Sequence, residues 1–430
     1  MSDVAVIGAG YVGLTTAACL AHLGHSVVAG DVDLARVERL NRGEIPIHED
    51  GLPQLVAEGL ESGRLRFVVG ARTAVADAEF VFLCVPTPQG DDGAADLSFV
   101  DGVVREIATH LRPGSVVINK STVPVGSTRR VQRILGEEGA SIDEIGVASN
   151  PEFLREGTSV RDFLNASRVV VGCDNPAIAV RVSELYAGVA APIVVTDPAS
   201  SEMIKYASNA FLATKISFMN AIANLCEAVD ADVSQVALGM GYDPRIGFEF
   251  LQPGPGYGGS CFPKDTAALM HTARRADAEF PLLQGVIDGN LEQRERMVAK
   301  ARRLAGGSLA GVTVAAWGLT FKANTDDLRD SPAVHIVRRL LEEGATVRAY
   351  DPAARDDGLD LPGLTRTADA LGAAAGADLL VVLTEWDEFR WLDFEAVGAA
   401  LGARVVLDTR NVLDPVALRR RGWIYEGVGR

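Results

Sequence analysis

The sequence predicts an α/β protein in which two doubly wound parallel-sheet domains are joined by a long central helix and a helical middle domain. Three observations carry that expectation. A glycine-rich turn follows a short apolar run near the amino end, about 30 residues without Gly or Pro fill the middle, and a partial echo of the first segment returns at residue 343. At 430 residues, 48% of them hydrophobic, the chain suits about three domains, each with its own core.

In chain order, "VAVI" (4–7) reads as a strand buried on both faces of a parallel sheet. "GAGYVG" follows, with Gly8, Gly10 and Gly13 in GxGxxG spacing, then a helical stretch to Leu23 and a second strand, "SVVAGD", ending on Asp31. Strand, glycine turn, helix and an acid 18 residues beyond Gly13 make a Rossmann-like dinucleotide site. The glycines admit a pyrophosphate, the helix start offers unpaired N–H groups, and the carboxylate accepts from a ribose hydroxyl pair. Asp31 would repel a 2′-phosphate, which favours NAD over NADP. "FVFLCVP" (80–86) and "SVVINKSTVP" (115–124) read as further strands whose ends lie at the ligand-bearing carboxyl edge.

The long stretch opens on Asp197 and Pro198, a cap and first-turn pair. Its apolar positions run nearly all round, which points to burial between domains or subunits, and we expect a homodimer. In the last section "EGATVRAYD" (343–351) echoes "LGHSVVAGD" (23–31), but the turn "GLTFKANTDDLRDSP" lacks the second and third glycines. A second Rossmann-like domain follows, without a dinucleotide. Lys322 and Arg329 in that turn suit either a different phosphate-bearing ligand or a solvated basic pair. The expected domains are 1–197, 198–305 and 306–430.

Composition narrows the function. A net charge of −16 provides no field that favours nucleic acid or an anionic membrane as a partner. Cys19, Cys84, Cys173, Cys226 and Cys261 are an odd, scattered set with no CxxC pair and no His at ligand spacing, so a metal site is not expected and a reducing cytoplasm is. The apolar start carries Asp3 where a secretory signal would be basic, and no run reaches transmembrane length. One cysteine stands apart: "GYGGSCFPKD" (256–265) sets Cys261 behind a glycine turn. Such a thiol is either a small buried hydrophobe or a nucleophile on a backbone that approaches its substrate closely.

"GAGYVG", "VPTP" (85–88), "KSTVPVG" (120–126), "NPEFLREG" (150–157), "KYASNAF" (205–211), "DPRIG" (243–247), "GGSCFPKD" (258–265) and the 318–332 turn together resemble the nucleotide-sugar 6-dehydrogenase family, the UDP-glucose/GDP-mannose dehydrogenases, in the family's order over nearly the whole chain. The resemblance implies a two-step oxidation of a sugar CH2OH to a carboxylate with two NAD per sugar nucleotide. UDP-glucose is the implied substrate and UDP-glucuronate the product, with TDP-glucose, GDP-mannose or UDP-N-acetylmannosamine as alternatives and a non-catalytic nucleotide sensor as a further one. It also implies that Cys261 forms a thiohemiacetal and then a thioester, that Lys205 and Asp265 handle protons, that Thr122 and Asp265 position a water, and that Glu152 activates the hydrolytic water. Asn209 shares a helix face with Lys205.

On the cofactor side the resemblance points to Gly8, Gly10, Tyr11, Val12, Gly13, Asp31, Arg36, Pro86, Thr87, Ser121, Thr122, Glu156 and Arg329. On the nucleotide-sugar side it points to Glu152, Phe153, Leu154, Lys205, Asn209, Phe250, Tyr257, Gly258, Phe321, Lys322 and Arg410, with Arg245 reaching across the dimer. The other four cysteines read as packing. Two departures from the family pattern, Asp50 in "IHEDGL" and the missing Pro-Asp before Arg168, leave nearby loop geometry open.

Overall fold

The computed structural model describes residues 1–90, 92–354, 359 and 361–430. The chain forms two compact units, one of Met1–Ser208 with Ala267–Ala278, the other of Asn209–Thr266 with Glu279–Arg430. Residues of the expected middle stretch are thus found in both.

In the first unit the strands are β1 (Asp3–Ile7), β2 (Ser26–Asp31), β3 (Leu65–Val69), β4 (Phe80–Leu83), β5 (Val116–Asn119), β6 (Gly146–Ser149), β7 (Val169–Gly172) and β8 (Ile193–Thr196). Their order is β3-β2-β1-β4-β5-β6-β7-β8, parallel except where Ser149 pairs with Gly172. The first six strands have the doubly wound order of a dinucleotide-binding sheet. Every residue of β4 and β5 is buried, as continuous apolar runs covered on both faces must be. Both strands end earlier than the sequence suggests. The Ser121 amide and the Lys120 amide both turn onto the Leu83 carbonyl, and the Ser121 hydroxyl donates to Val85 at 2.7 Å. Residues 84–87 and 120–122 therefore lie beyond the sheet, at its ligand edge.

The second unit carries β9 (Thr313–Trp317), β10 (Thr346–Tyr350), β11 (Leu364–Arg366), β12 (Leu379–Val382), β13 (Val405–Asp408) and β14 (Ile424–Glu426), all parallel in the order β11-β10-β9-β12-β13-β14. This is the arrangement that the sequence echo predicts. Asp351, the counterpart of Asp31, is buried and accepts the amides of Leu319, Thr320, Ala353 and Ala354, so its carboxylate braces its own turn.

The long helix runs over Pro198–Val229, 32 residues, with the Ser200 amide donating to Asp197 at 2.9 Å. Two further helices matter for the site, Phe262–Arg275 and Pro281–Leu304. Among the described residues no helix is long and apolar enough to cross a membrane. Cys19, Cys84, Cys173 and Cys226 are buried, in keeping with packing.

Candidate active site

The dinucleotide turn can be tested by what its glycines exclude. A Cβ on Gly8, at φ 98°, would stand 2.6 Å from the Cys84 carbonyl oxygen, and one on Gly13 would stand 1.8 Å from that of Gly8. Gly10 faces open space, and the helix Tyr11–His22 starts there with no side-chain cap and no acid in its first turn. Its unpaired N–H groups are the partners a pyrophosphate requires. Asp31, buried at the end of β2, accepts from the Ala9 amide at 2.8 Å and pairs with Arg36 at 3.2 Å. The chain's own residues thus fit a nicotinamide dinucleotide.

The remaining cofactor candidates in this unit surround that edge. Thr87 donates to the Thr122 carbonyl at 2.9 Å, while Pro86 is exposed and Val12 packs on the core. Glu156 is half-buried in the loop after β6. The Tyr11 hydroxyl is engaged internally: it donates to Glu49 and accepts from the Gly157 amide at 2.7 Å. Burial and then Glu49 raise this phenol far above its ordinary value, so it keeps its proton. Glu49 also accepts the Gly157 and Ser159 amides at 2.8 and 2.5 Å, and thereby ties the dinucleotide helix to the Glu156 loop. Asp50, the departure beside it, is exposed and leaves this cluster intact.

Glu152 and Lys205 meet in the same unit at 2.9 Å, both almost fully buried. Burial alone would raise the Glu152 carboxyl. The Lys205 ammonium, the Leu154 amide at 2.6 Å and Lys120 outweigh it and hold the group below the usual carboxylate range. Phe153 lies under two cations, with Arg168 at 3.6 Å and Lys205 at 5.4 Å from its ring centre. Arg168 thus supports the loop despite the missing Pro-Asp. Lys120, read from the sequence only as part of a motif, is buried against Asn150 and Tyr186, and burial lowers its ammonium to about 8.

In the second unit Cys261 occupies the cap of the helix Phe262–Arg275, because its carbonyl accepts the Asp265 amide at 2.9 Å. A helix start stabilises a thiolate, a contribution the sequence reading did not use although Pro263 signals the first turn. Asp265 is buried, with Asn209 donating to one oxygen at 2.6 Å and Lys264 to the other at 2.5 Å. Lys264 is a functional candidate that sequence reasoning passed over. Lys205 and Asn209 stand four residues apart on the helix Pro198–Val229.

The glycine loop before the thiol is pinned from the helix Pro281–Leu304. Asn290 accepts from the Tyr257 amide at 2.7 Å and returns a bond to its carbonyl, which Arg294 also reaches at 2.8 Å. Gln293 donates to Gly254 at 2.9 Å. A Cβ on Gly258 would strike the Asp330 carbonyl, and one on Gly259 the Phe321 ring. Arg410 donates to the Phe321 carbonyl at 2.7 Å and pairs with Glu385. Tyr257, Gly258, Phe321 and Arg410 are therefore brought together at the carboxyl edge of the second sheet, with Lys322 over the Phe321 ring. Phe250 has φ 64°, a left-handed backbone costing a bulky residue about 1–3 kcal/mol. Arg245 projects into solvent and forks onto Asp243. Arg329, expected on the cofactor side, belongs to this unit and pairs with Asp327.

The cradle of the first unit, with its acid at the end of β2, defines a nicotinamide-dependent dehydrogenase. Residues 2–190 match the NAD binding domain of the UDP-glucose/GDP-mannose dehydrogenase family, residues 199–292 its central domain and residues 315–415 its UDP binding domain. The chain belongs to that family, and NAD is its cofactor. It is 46% identical to a UDP-glucose 6-dehydrogenase of Rhizobium meliloti (strain 1021), over 99% of each chain. The fold is shared with a UDP-glucose dehydrogenase of Pyrobaculum islandicum (TM-score 0.92, 38% identity, 100% and 98% covered) and with a UDP-D-ManNAc dehydrogenase of Pyrococcus horikoshii (0.87, 27%, 99% of each).

Proposed function

We propose that the chain oxidises UDP-glucose twice at C6, to UDP-glucuronate, through a thiohemiacetal and a thioester on Cys261. The observation that carries the reading is the thiol at a helix start, with Asp265 one turn in and held by Asn209 and Lys264. An alcohol dehydrogenase that stopped at the aldehyde would have no use for it. Bound NAD, held by the turn of Gly8, Gly10 and Gly13 and by Asp31, supplies the hydride acceptor in both oxidations.

The side chains handle protons and covalent bonds. Lys205 and Asp265 handle the hydroxyl proton and steady the alkoxide, the Asp265 carboxylate as proton acceptor and the Lys205 ammonium as the facing charge. The Cys261 thiolate bonds to the aldehyde carbon, giving the hydroxyl-bearing adduct that the second oxidation requires. Water positioned by Thr122 and Asp265 and deprotonated by Glu152 then adds to the thioester, and the thiol leaves as acid is released. Phe153, Leu154, Phe250, Tyr257, Gly258, Phe321, Lys322 and Arg410 hold the nucleotide sugar. UDP-glucose is favoured over UDP-N-acetylmannosamine by the higher identity to proteins named for the former.

The proposal includes a homodimer through residues 198–305, supported by Phe211, Phe218, Leu225 and Val229, all exposed along the helix Pro198–Val229. It places the protein in the cytoplasm, which suits five cysteines outside disulfides. The test is the number of NADH formed per limiting UDP-glucose with NAD in excess: two are expected, and a single one would reduce the reaction to an alcohol oxidation. Cys261→Ala is expected to make no UDP-glucuronate, so normal acid formation would remove the thiol from the mechanism.

A further inference from the structure

Within the first unit a cavity of about 930 Å³ opens between the turn at 124–127, the helix Ser127–Glu137 and the last turns of the helix Phe262–Arg275. Its volume falls in the range of small-molecule sites. None of the residues assigned above to cofactor, catalysis or substrate lines it. Four arginines do, Arg129, Arg130, Arg133 and Arg275, against two carboxylates, Asp96 and Asp101. In a chain of net charge −16 this is a local excess of two positive charges, before His271 is considered.

The four guanidinium groups are not equivalent. Arg130 forks onto Asp101 at 2.8 and 2.5 Å, and Arg133 pairs with Glu137 at 2.7 Å. Among the described residues, Arg129 and Arg275 have no carboxylate within ion-pair distance, and both are exposed on the cavity lining. The start of the helix Ser127–Glu137 is not the anion holder here. Its Gly126 and Thr128 amides are already bonded to the buried Glu202 at 2.6 and 2.7 Å. His271 faces Asp92 across 4.0 Å, so the two unmatched arginines remain the principal unbalanced charge. Among the described residues no Phe, Tyr or Trp lines the cavity, so it offers no large aromatic face on which a base would stack.

We propose that this cavity binds a small phosphorylated anion carrying about two negative charges, held by Arg129 and Arg275. Guanidinium forks suit phosphate oxygens, and Leu97, Pro124 and Val125 provide an apolar wall for a short carbon skeleton.

The test is calorimetric titration of the full chain with inorganic pyrophosphate, at matched ionic strength, with NADH and UDP present to fill the two nucleotide sites. Saturable binding is expected, weakened at least about tenfold in the variant with Arg129→Ser and Arg275→Ser. Unperturbed turnover of UDP-glucose by that variant without pyrophosphate serves as the folding control. Equal affinity in the two proteins, or no saturable heat in the unsubstituted one, would overturn the proposal.

Discussion

Glu152 shows how much a single residue's environment decides. Its folded carboxyl lies below its unfolded value, so the ionised form contributes stability that is present above about pH 4.3 and lost as pH falls through the folded value. Glu152→Gln leaves Lys205 buried opposite a neutral amide, and urea unfolding at pH 7 is expected to show a loss of about 3–5 kcal/mol. That gap should narrow as pH falls from about 4.3 toward the folded value, where the native carboxyl also takes up its proton; a constant gap would mean that Glu152 is not ionised in the folded protein. In the proposed site Asp31 has two tasks, so Asp31→Ala should weaken NADH binding in a fluorescence titration and also cost about 1 kcal/mol for the orphaned Ala9 amide. Unchanged affinity would remove it from the cofactor site. Cys261, Lys205 and Asp31 could be picked out of the sequence as candidates because each sits in a local motif. Glu49 was not, since its partners Tyr11, Gly157 and Ser159 lie 38, 108 and 110 residues away.

Among the elements, periodicity and punctuation made the helix Pro198–Val229 and the strands at 4–7 and 26–31 readable. The ends of β4 and β5 were not readable, because the side chain of Ser121, not a local propensity, takes over the carbonyl bonding there. The support of the candidate catalytic loop was equally hidden. Asn290, Gln293 and Arg294 share one helix face by spacing, and a polar face reads from sequence as solvated, yet all three are buried against the loop. Asn290→Ala removes both bonds to the Tyr257 backbone and leaves its amide unsatisfied, an expected cost of about 1–3 kcal/mol in a urea melt. Steady-state kinetics should show KM for UDP-glucose rising while KM for NAD stays put. A rise in the NAD value instead would mean that the loop serves the cofactor.

For the whole molecule, the two sheets repeat one strand order, and the sequence revealed this through paired strands that each close on an aspartate, Asp31 and Asp351. Assembly requires a different argument. Phe211, Phe218 and Leu225 recur every seven residues and, with Val229, leave an apolar stripe exposed on a 32-residue helix, more than isolated surface hydrophobics would explain. A two-fold partner would cover that stripe with its own copy. Arg245 is 87% exposed at its side chain and, among the described residues, pairs with Asp243 two residues away, as would suit a group whose proposed sugar contact lies in the other subunit. Coexpressing Cys261→Ala with Arg245→Ala separates the possibilities. If Arg245 acts across the dimer, each mixed dimer contains one site with both residues intact, and random pairing restores about a quarter of the unsubstituted activity. If it acts within its own chain, every site lacks one of the two groups and the mixture stays as inactive as its parents. Size-exclusion chromatography with light scattering supplies the second arm: Phe218→Glu with Leu225→Glu should shift the protein from twice 45.5 kDa to 45.5 kDa, and loss of turnover at that mass would tie activity to the pair.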